Sequence, residues 1–256
     1  MQADRVLVNS RFTCGKFLEA FPSVSEKPTV LYPGVQIEED LIKTRDGKKQ
    51  SVIFSLQRFD RKKRVRFAIE AYSLYKERTP INYAKLVVAG GYDPQVRENK
   101  ECLCELERLC AKLGLTFQTV FRASKCPDMH SCDVLFLPSI KESAKHELYT
   151  KSLFLLFPNN EEHFGLVPVE AQLFGLPVIA VNKGGPRETI IDTETGYLVD
   201  DDPKEMADAI SKAVKVYEKD QQAYSDMCRH AQEHAKSKFS IDKFGDRLEE
   251  ILTEFD

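Results

Sequence analysis

Apolar residues in this chain gather in short unbroken runs separated by amphipathic stretches. This is the pattern of parallel strands buried on both faces, with helices between them, rather than of strands with one wet face. Strands are predicted over Ser51–Leu56, Lys85–Ala89, Asp133–Leu137, Ser152–Phe157, Val178–Val181 and Gly196–Val199. Helices are predicted between them over Lys62–Lys76, Gln95–Leu113, Ser143–Tyr149, Gly165–Phe174 and Arg187–Ile191. Upstream, Val6–Asn9 forms a short strand and Ser10 caps a helix over Arg11–Phe21. Thr29–Tyr32 is extended and ends at the turn pair Pro33-Gly34, and Gln36–Lys49 is polar with few apolar anchors, as expected of a hinge. Pro203 opens a helical tail that breaks near Phe239-Ser240. Thr116–Phe121 fits either a strand or an extension of the preceding helix, and the stretch after it, up to Cys132, reads as a surface loop. No internal repeat or low-complexity segment appears. The fold class is α/β, with a Rossmann-like parallel sheet covered by helices on both faces.

Composition narrows the function without naming it. The 256 residues are 42% hydrophobic and 30% charged, enough for a sizeable core. A net charge of −3 gives no bulk electrostatic case for nucleic acid or an anionic membrane. No apolar run approaches the ~20 residues of a membrane helix, and Met1-Gln-Ala-Asp-Arg-Val6 lacks the apolar core of a signal peptide, so a soluble, unsecreted chain is expected. Seven cysteines without paired spacing fit reduced thiols. Cys126, His130 and Cys132 lie close together, with Cys102, Cys104 and Cys110 upstream. A zinc site is the alternative, but no C-x2-C pair supports it, and no metal is expected.

The chemistry concentrates in Asn160-Glu-Glu-His-Phe-Gly-Leu-Val-Pro-Val-Glu170, where an apolar strand gives way to a helix. The first amides of a helix have no internal partner and carry partial positive charge, so this turn is a seat for a diphosphate. Gly165 removes a Cβ from the approach path, and the amides of Phe164, Gly165 and Leu166 are the expected phosphate donors. Glu162 and Glu170, with seven residues between them, can accept hydrogen bonds from sugar hydroxyls. Glu161 is a second-choice acid beside Glu162, and the Phe164 side chain reads as core. His163 reads as a residue of the helix start rather than a general base. Arg58 and Lys63 follow the first strand, where fixed cations would stabilise the charge that grows on a departing diphosphate. Arg58–Arg66 holds six basic residues, and a solvated charge run is the competing reading, assigned here to Arg61, Lys62, Arg64 and Arg66. Pro138-Ser139-Ile140 ends a strand where a nucleobase would sit, although a plain turn reads the same way. Gly90-Gly91 and Gly184-Gly185 also end strands, allowing close approach of a sugar or facing domain, or simply turning the chain.

Glu162–Glu170 matches the E-x7-E motif of glycosyltransferase family 4, whose GT-B fold sets two Rossmann-like domains face to face. A wider set of segments resembles the GDP-mannose-dependent mannosyltransferases of dolichol-linked oligosaccharide synthesis. They are Val8–Thr13, Val30–Gly34, Ser55–Lys63, Val87–Asp93, Glu162–Gly165 and Ala180–Pro186. The resemblance implies a domain order in which 1–35 is a remnant of an N-terminal acceptor domain and 36–50 a linker. Residues 51–238 would then be the C-terminal nucleotide-sugar domain and 239–256 a C-terminal helix. It implies that Arg58 and Lys63 bind phosphate, that Glu162 contacts the donor sugar, and that Glu170 holds the ribose hydroxyls. It further implies GDP-mannose as donor without a cofactor or metal, and a dolichol-diphosphate glycan as acceptor. The acceptor would be held by a first domain mostly absent here, so this chain is expected to bind donor with little transfer of its own. Action at the cytosolic face of the endoplasmic reticulum, and association with other transferases of that pathway, are implied as well. A UDP-sugar transferase of the same family, or a non-catalytic nucleotide-binding assembly partner, are the alternatives.

Overall fold

The computed structural model describes residues 5–36, 51–79, 84–127 and 132–254. The hinge expected over Gln36–Lys49 therefore lies, apart from Gln36, outside the described residues. Two short strands, β1 (Leu7–Val8) and β2 (Thr29–Val30), pair in parallel around α1 (Arg11–Ala20). The main sheet has seven parallel strands: β3 (Val52–Leu56), β4 (Lys85–Gly90), β5 (Phe117–Thr119), β6 (Val134–Pro138), β7 (Phe154–Phe157), β8 (Val178–Val181) and β9 (Gly196–Val199). Their spatial order is β5-β6-β4-β3-β7-β8-β9. The chain winds outward from β3 on one side and then restarts at β7 on the other. The order thus reverses between β3 and β7, which opens a crevice at their carboxyl ends. The ambiguous 116–121 stretch resolves as the edge strand β5.

Helices α2 (Val65–Arg78), α3 (Arg97–Lys112), α4 (Glu142–Lys151), α5 (Leu166–Leu173) and α6 (Pro186–Thr189) connect the strands. The tail is three helices, α7 (Pro203–Lys219), α8 (Gln221–Phe239) and α9 (Ile241–Thr253), with a break at Asp220 in addition to the expected one. Capping explains both breaks: Asp220 accepts from the Ala223 amide at 2.9 Å and Ser240 from the Lys243 amide at 3.3 Å. Along each strand, successive apolar residues feed opposite cores. Ile53, Leu86, Val88, Phe154 and Leu156 enter one face, while Phe54, Val87, Leu135 and Leu155 enter the other. A third cluster joins Phe164, Val169 and Leu173 to Phe239, with Tyr32 and Val35 packed on it.

The helix expected from Lys62 starts differently. A 3-10 turn, Arg61–Lys63, is capped by Asp60, and Arg64 then adopts the left-handed conformation (φ 54°) before α2 begins. Arg61 pairs with Glu101 and Glu105 and Arg66 with Glu70, as surface charges do. Arg64 is not a surface charge. It is half-buried and donates to Asp201 at 2.5 Å and to the Pro158 carbonyl at 3.2 Å. Asp201 also accepts from Asn160 at 2.8 Å and Lys183 at 3.0 Å, so one carboxylate ties the loops after β3, β7, β8 and β9 together. Burial pushes this carboxyl up, but the hydrogen bonds from Asn160, Lys183 and Arg64 outweigh it and hold the pKa at about 2.

A second carboxylate fixes the N-terminal segment. Glu188 accepts from the Arg11 and Phe12 amides, both at 2.9 Å, and from the Tyr32 hydroxyl at 2.9 Å. Those amides are orphans of the first turn of α1, so Glu188 meets both their hydrogen-bonding need and their partial positive charge.

Two outcomes are expected. The Asp201 carboxyl is depressed below its ordinary 3.8, so its contribution is complete above pH ~4 and is lost as pH falls towards ~2. Urea titrations should show wild type losing ~1–2 kcal/mol more than Asp201→Asn across that window; parallel profiles would refute the tie. Glu188→Ala should cost ~1–3 kcal/mol of local docking. It should speed amide exchange at Arg11 and Phe12 while leaving the main sheet unchanged, and protection retained at those amides would show that Glu188 does not hold them.

Candidate nucleotide-sugar site

A cavity of about 550 Å³ opens at the carboxyl ends of β3, β4, β6 and β7. Of the residues singled out from the sequence, Arg58, Lys63, Gly90, Gly91, Ser139, Ile140, Glu162, Phe164, Gly165 and Leu166 line it. Glu170, Gly184 and Gly185 do not.

The turn from β7 to α5 is the centre of the site. Gly165 takes φ 92° at the start of α5, and no side chain caps that helix, so its first amides face the cavity through Gly165, Leu166 and Val167. Phe164 is core, as expected. Its ring is 2% exposed, stacked on Tyr32 at 5.7 Å and set edge-on to Phe239 at 5.5 Å. Glu161 is exposed. Glu162 is half-buried and accepts from Lys63 Nζ at 2.7 Å and from Asn159 Nδ2 at 3.1 Å. The Glu162–Lys63 pair closes across the crevice between the β3 and β7 loops. Arg58, one turn away, is exposed and forms no ion pair among the described residues.

Both glycine pairs make close approaches to neighbouring chain, and Gly90-Gly91 also faces the cavity. A Cβ on Gly90 would lie 2.0 Å from the Gln57 carbonyl oxygen, so this residue lets β4 pass against the β3 loop. A Cβ on Gly185 would lie 2.1 Å from the Phe164 carbonyl oxygen, and the Gly185 amide donates to the Glu162 carbonyl at 2.7 Å. A Cβ on Gly184 would lie 2.5 Å from the Glu162 carbonyl oxygen. Gly184-Gly185 therefore packs backbone to backbone against the site turn.

Ser139 holds φ 55°, an uncommon conformation for a residue with a Cβ. Its hydroxyl donates to the Tyr92 carbonyl at 2.5 Å and its amide to the Gly90 carbonyl at 2.8 Å, so its own polar groups secure the strand end. Glu170 accepts from the Tyr149 hydroxyl at 2.9 Å and lies 3.9 Å from Lys145 Nζ. Burial, with the Glu170 charge beside it, pushes the Tyr149 hydroxyl well above its ordinary pKa, so it stays a donor. His163 also lines the cavity and ties it to the N-terminal segment: Nδ1 is 2.9 Å from Thr13 Oγ1, and its carbonyl accepts from Ser10 at 2.5 Å.

Sequence reasoning passed over three residues. Gln57 and Asn159 are 5% and 3% exposed and joined at 3.2 Å, forming the support behind Glu162. Gln57 Nε2 and Asn159 Oδ1 are buried without a hydrogen-bond partner, which makes this support a polar reserve beside the cavity. Asp201 holds the same loop from outside. The one available signal was polarity itself: an amide side chain at the end of an otherwise apolar buried run.

Among the described residues, no group of His, Cys, Asp and Glu is placed to hold a metal ion, and His130 lies outside them. Burial pushes the Cys102 and Cys126 thiols up to about 11 and Cys110 to about 12, and all seven cysteines are free. No helix among the described residues is long and apolar enough to cross a membrane.

Among curated relatives, the alpha-1,3/1,6-mannosyltransferase ALG2 of Rhizomucor pusillus is 37% identical, covering 99% of this chain and 58% of that protein. ALG2 of Saccharomyces cerevisiae is 37% identical over 84% of this chain and 47% of its own length. The chain thus spans about half the length of the curated relatives it matches. Among solved structures, Anabaena Alr3699/HepE in complex with UDP superposes with a TM-score of 0.76 at 20% identity, covering 98% of this chain and 64% of that one. Sucrose-phosphate synthase from Thermosynechococcus elongatus gives 0.71 at 22% identity, with 99% and 59% covered. These two share the fold. A family model for group 1 glycosyl transferases matches residues 36–238, and with the E-x7-E turn set at the sheet's switch point, this chain belongs to that glycosyltransferase family.

Proposed function

We propose that this chain forms the donor-binding half of a retaining mannosyltransferase. It would move mannose from GDP-mannose to a mannose hydroxyl of a dolichol-diphosphate-linked glycan. The observation that carries the reading is the convergence of Arg58, Lys63, Glu162 and the uncapped start of α5 on one cavity at the β3–β7 switch point. The ALG2 relatives, at 37% identity, support mannose as the transferred sugar.

Partner exchange explains how the site would work. In the free chain Lys63 is paired with Glu162. An incoming diphosphate offers Lys63 a more concentrated charge, and its departure releases Glu162 to accept from a donor-sugar hydroxyl. Arg58, unpaired and exposed, reaches the same phosphates at lower desolvation cost. As the glycosidic bond breaks, negative charge grows on the leaving phosphate, and both cations and the helix amides stabilise that state more than the ground state. Charge neutralisation is thereby assigned to the protein rather than to a metal. The departing phosphate assists the incoming hydroxyl on the same face, which retains configuration. Glu170 sits just behind the lining, 3.9 Å from Lys145, and with one oxygen engaged by Tyr149 would hold the ribose with the other. A lipid-linked acceptor implies action at a membrane surface, here the cytosolic face of the endoplasmic reticulum, beside other transferases of the same pathway.

Calorimetric titration with GDP-mannose, GDP and UDP-N-acetylglucosamine tests the donor assignment: selective binding of the guanine ligands is expected, and preference for the uridine ligand would sink it. Lys63→Ala should weaken GDP by ~1.5–3 kcal/mol while leaving guanosine nearly unchanged; equal losses would remove Lys63 from the phosphates. Glu170→Gln keeps an acceptor for Tyr149 but puts a donor towards the ribose, and should weaken GDP and guanosine alike by ~1–3 kcal/mol. If 2′-deoxyguanosine diphosphate and GDP bind the variant and the wild type in the same ratio, the ribose role is wrong.

A further inference from the structure

Two buried amides stand behind Glu162, where the two central strands leave the sheet. Gln57 is the first residue after β3 and Asn159 the second after β7, and these strands pair in parallel across the switch point. Asn159 Nδ2 donates to Glu162 Oε2 at 3.1 Å and to Gln57 Oε1 at 3.2 Å. Lys63 Nζ meets the same Glu162 oxygen at 2.7 Å, so neither bond occupies Oε1. Gln57 is pinned at its backbone. Its amide donates to the Ala89 carbonyl at 2.8 Å, and a Cβ on Gly90 would lie 2.0 Å from its own carbonyl oxygen.

The charge on Glu162 dictates how both amides face. A carboxylate accepts and never donates, so Asn159 must turn its NH2 group towards it. That group has two hydrogens. The second goes to Gln57, and the Gln57 atom that meets it must be the oxygen. Gln57 Nε2 and Asn159 Oδ1 are then left buried without a partner among the described residues. Two orphaned polar atoms make the pair a poor stabiliser of the fold, and an apolar pair of similar size would avoid that cost. Its worth lies in what it does to Glu162. Lys63 is the partner that a diphosphate draws away. A half-buried carboxylate stripped of its cation would swing to water or take up a proton, unless a second donor held it. Asn159 is that donor. At 3% exposed it lies out of a ligand's reach, so it stays on Oε2 and leaves Oε1 as the acceptor for a sugar hydroxyl.

We propose that Asn159, oriented by Gln57, is a positioning residue that keeps Glu162 in place while Lys63 changes partner. The pair thereby sets how well the site distinguishes a nucleotide sugar from the bare nucleotide. This rests on the GDP-mannose reading and deepens it. The test is calorimetric titration with GDP-mannose and GDP, using wild type, Asn159→Leu, Glu162→Ala and the variant carrying both changes. Asn159→Leu should lower the ratio of GDP-mannose to GDP affinity by about three- to tenfold, the worth of one hydrogen bond, and move GDP by no more than about twofold. In the Glu162→Ala background the same substitution should leave the ratio unchanged, because no carboxylate remains to be held. Gln57→Met with Asn159→Leu orphans neither amide, should show the same selective loss, and replaces the single variant if that one folds poorly. An unchanged ratio, equal losses of both ligands, or a loss that persists without Glu162 would reduce the amides to fold support and overturn the proposal, with the donor assignment intact. A wild type that binds no guanine nucleotide, or prefers UDP-N-acetylglucosamine, overturns the donor assignment and the proposal together.

Discussion

The site depends on a backbone-to-backbone contact that leaves no room for a side chain. Gly185 sits so close to the Phe164 carbonyl that a single added carbon would collide with it at 2.1 Å, and the Gly185 amide bonds the Glu162 carbonyl. That contact fixes the turn carrying Glu162, the exposed amides of α5 and the buried ring of Phe164. Asp201 grips the same loop through Asn160 and the β3 loop through Arg64. Rigid loops meeting at a topological switch point give preorganisation without strain in the reacting groups.

Much of this was legible in the chain. Near-continuous apolar runs marked six of the seven main strands, because a strand buried on both faces has no polar alternation to obscure it. The β5 edge strand was ambiguous for the converse reason: at three residues and one paired side, it carries little periodicity. That Arg58, Lys63, Glu162 and Gly165 would meet at one cavity was readable because strand-to-helix turns gather at the carboxyl edge of a parallel sheet. Arg64 was misread as solvated. Its charge resembles that of its neighbours, and only the left-handed turn at its own backbone directs it inward to Asp201. The roles of Gly184-Gly185 and Asp201 are long-range, joining loops scattered along the sequence, and spacing along one segment cannot reveal them.

The electrostatics of the free site are balanced locally. Lys63 is neutralised by Glu162 and Lys145 by Glu142, while Arg58 stands open. An empty anion site with several bare cations would repel itself and attract any phosphate in solution. Pairing each lysine with a carboxylate lowers that cost and demands that a ligand replace both the anion and its geometry. Pairing of this kind favours discrimination over raw affinity in a ligand site.

The carboxylate of Glu188 has a mechanical consequence. Two adjacent amides bonded to one carboxylate permit neither sliding nor free rotation, so α1 is socketed onto the sheet domain like a pin in a keyed hole. Asn9, two residues before that pin, forms part of the cavity wall. The cavity therefore carries a piece of wall drawn from before residue 37 and tied to its floor through Glu188. Through Glu188, a residue far along the chain, Asn9 is anchored to the sheet domain whose cavity it helps to enclose.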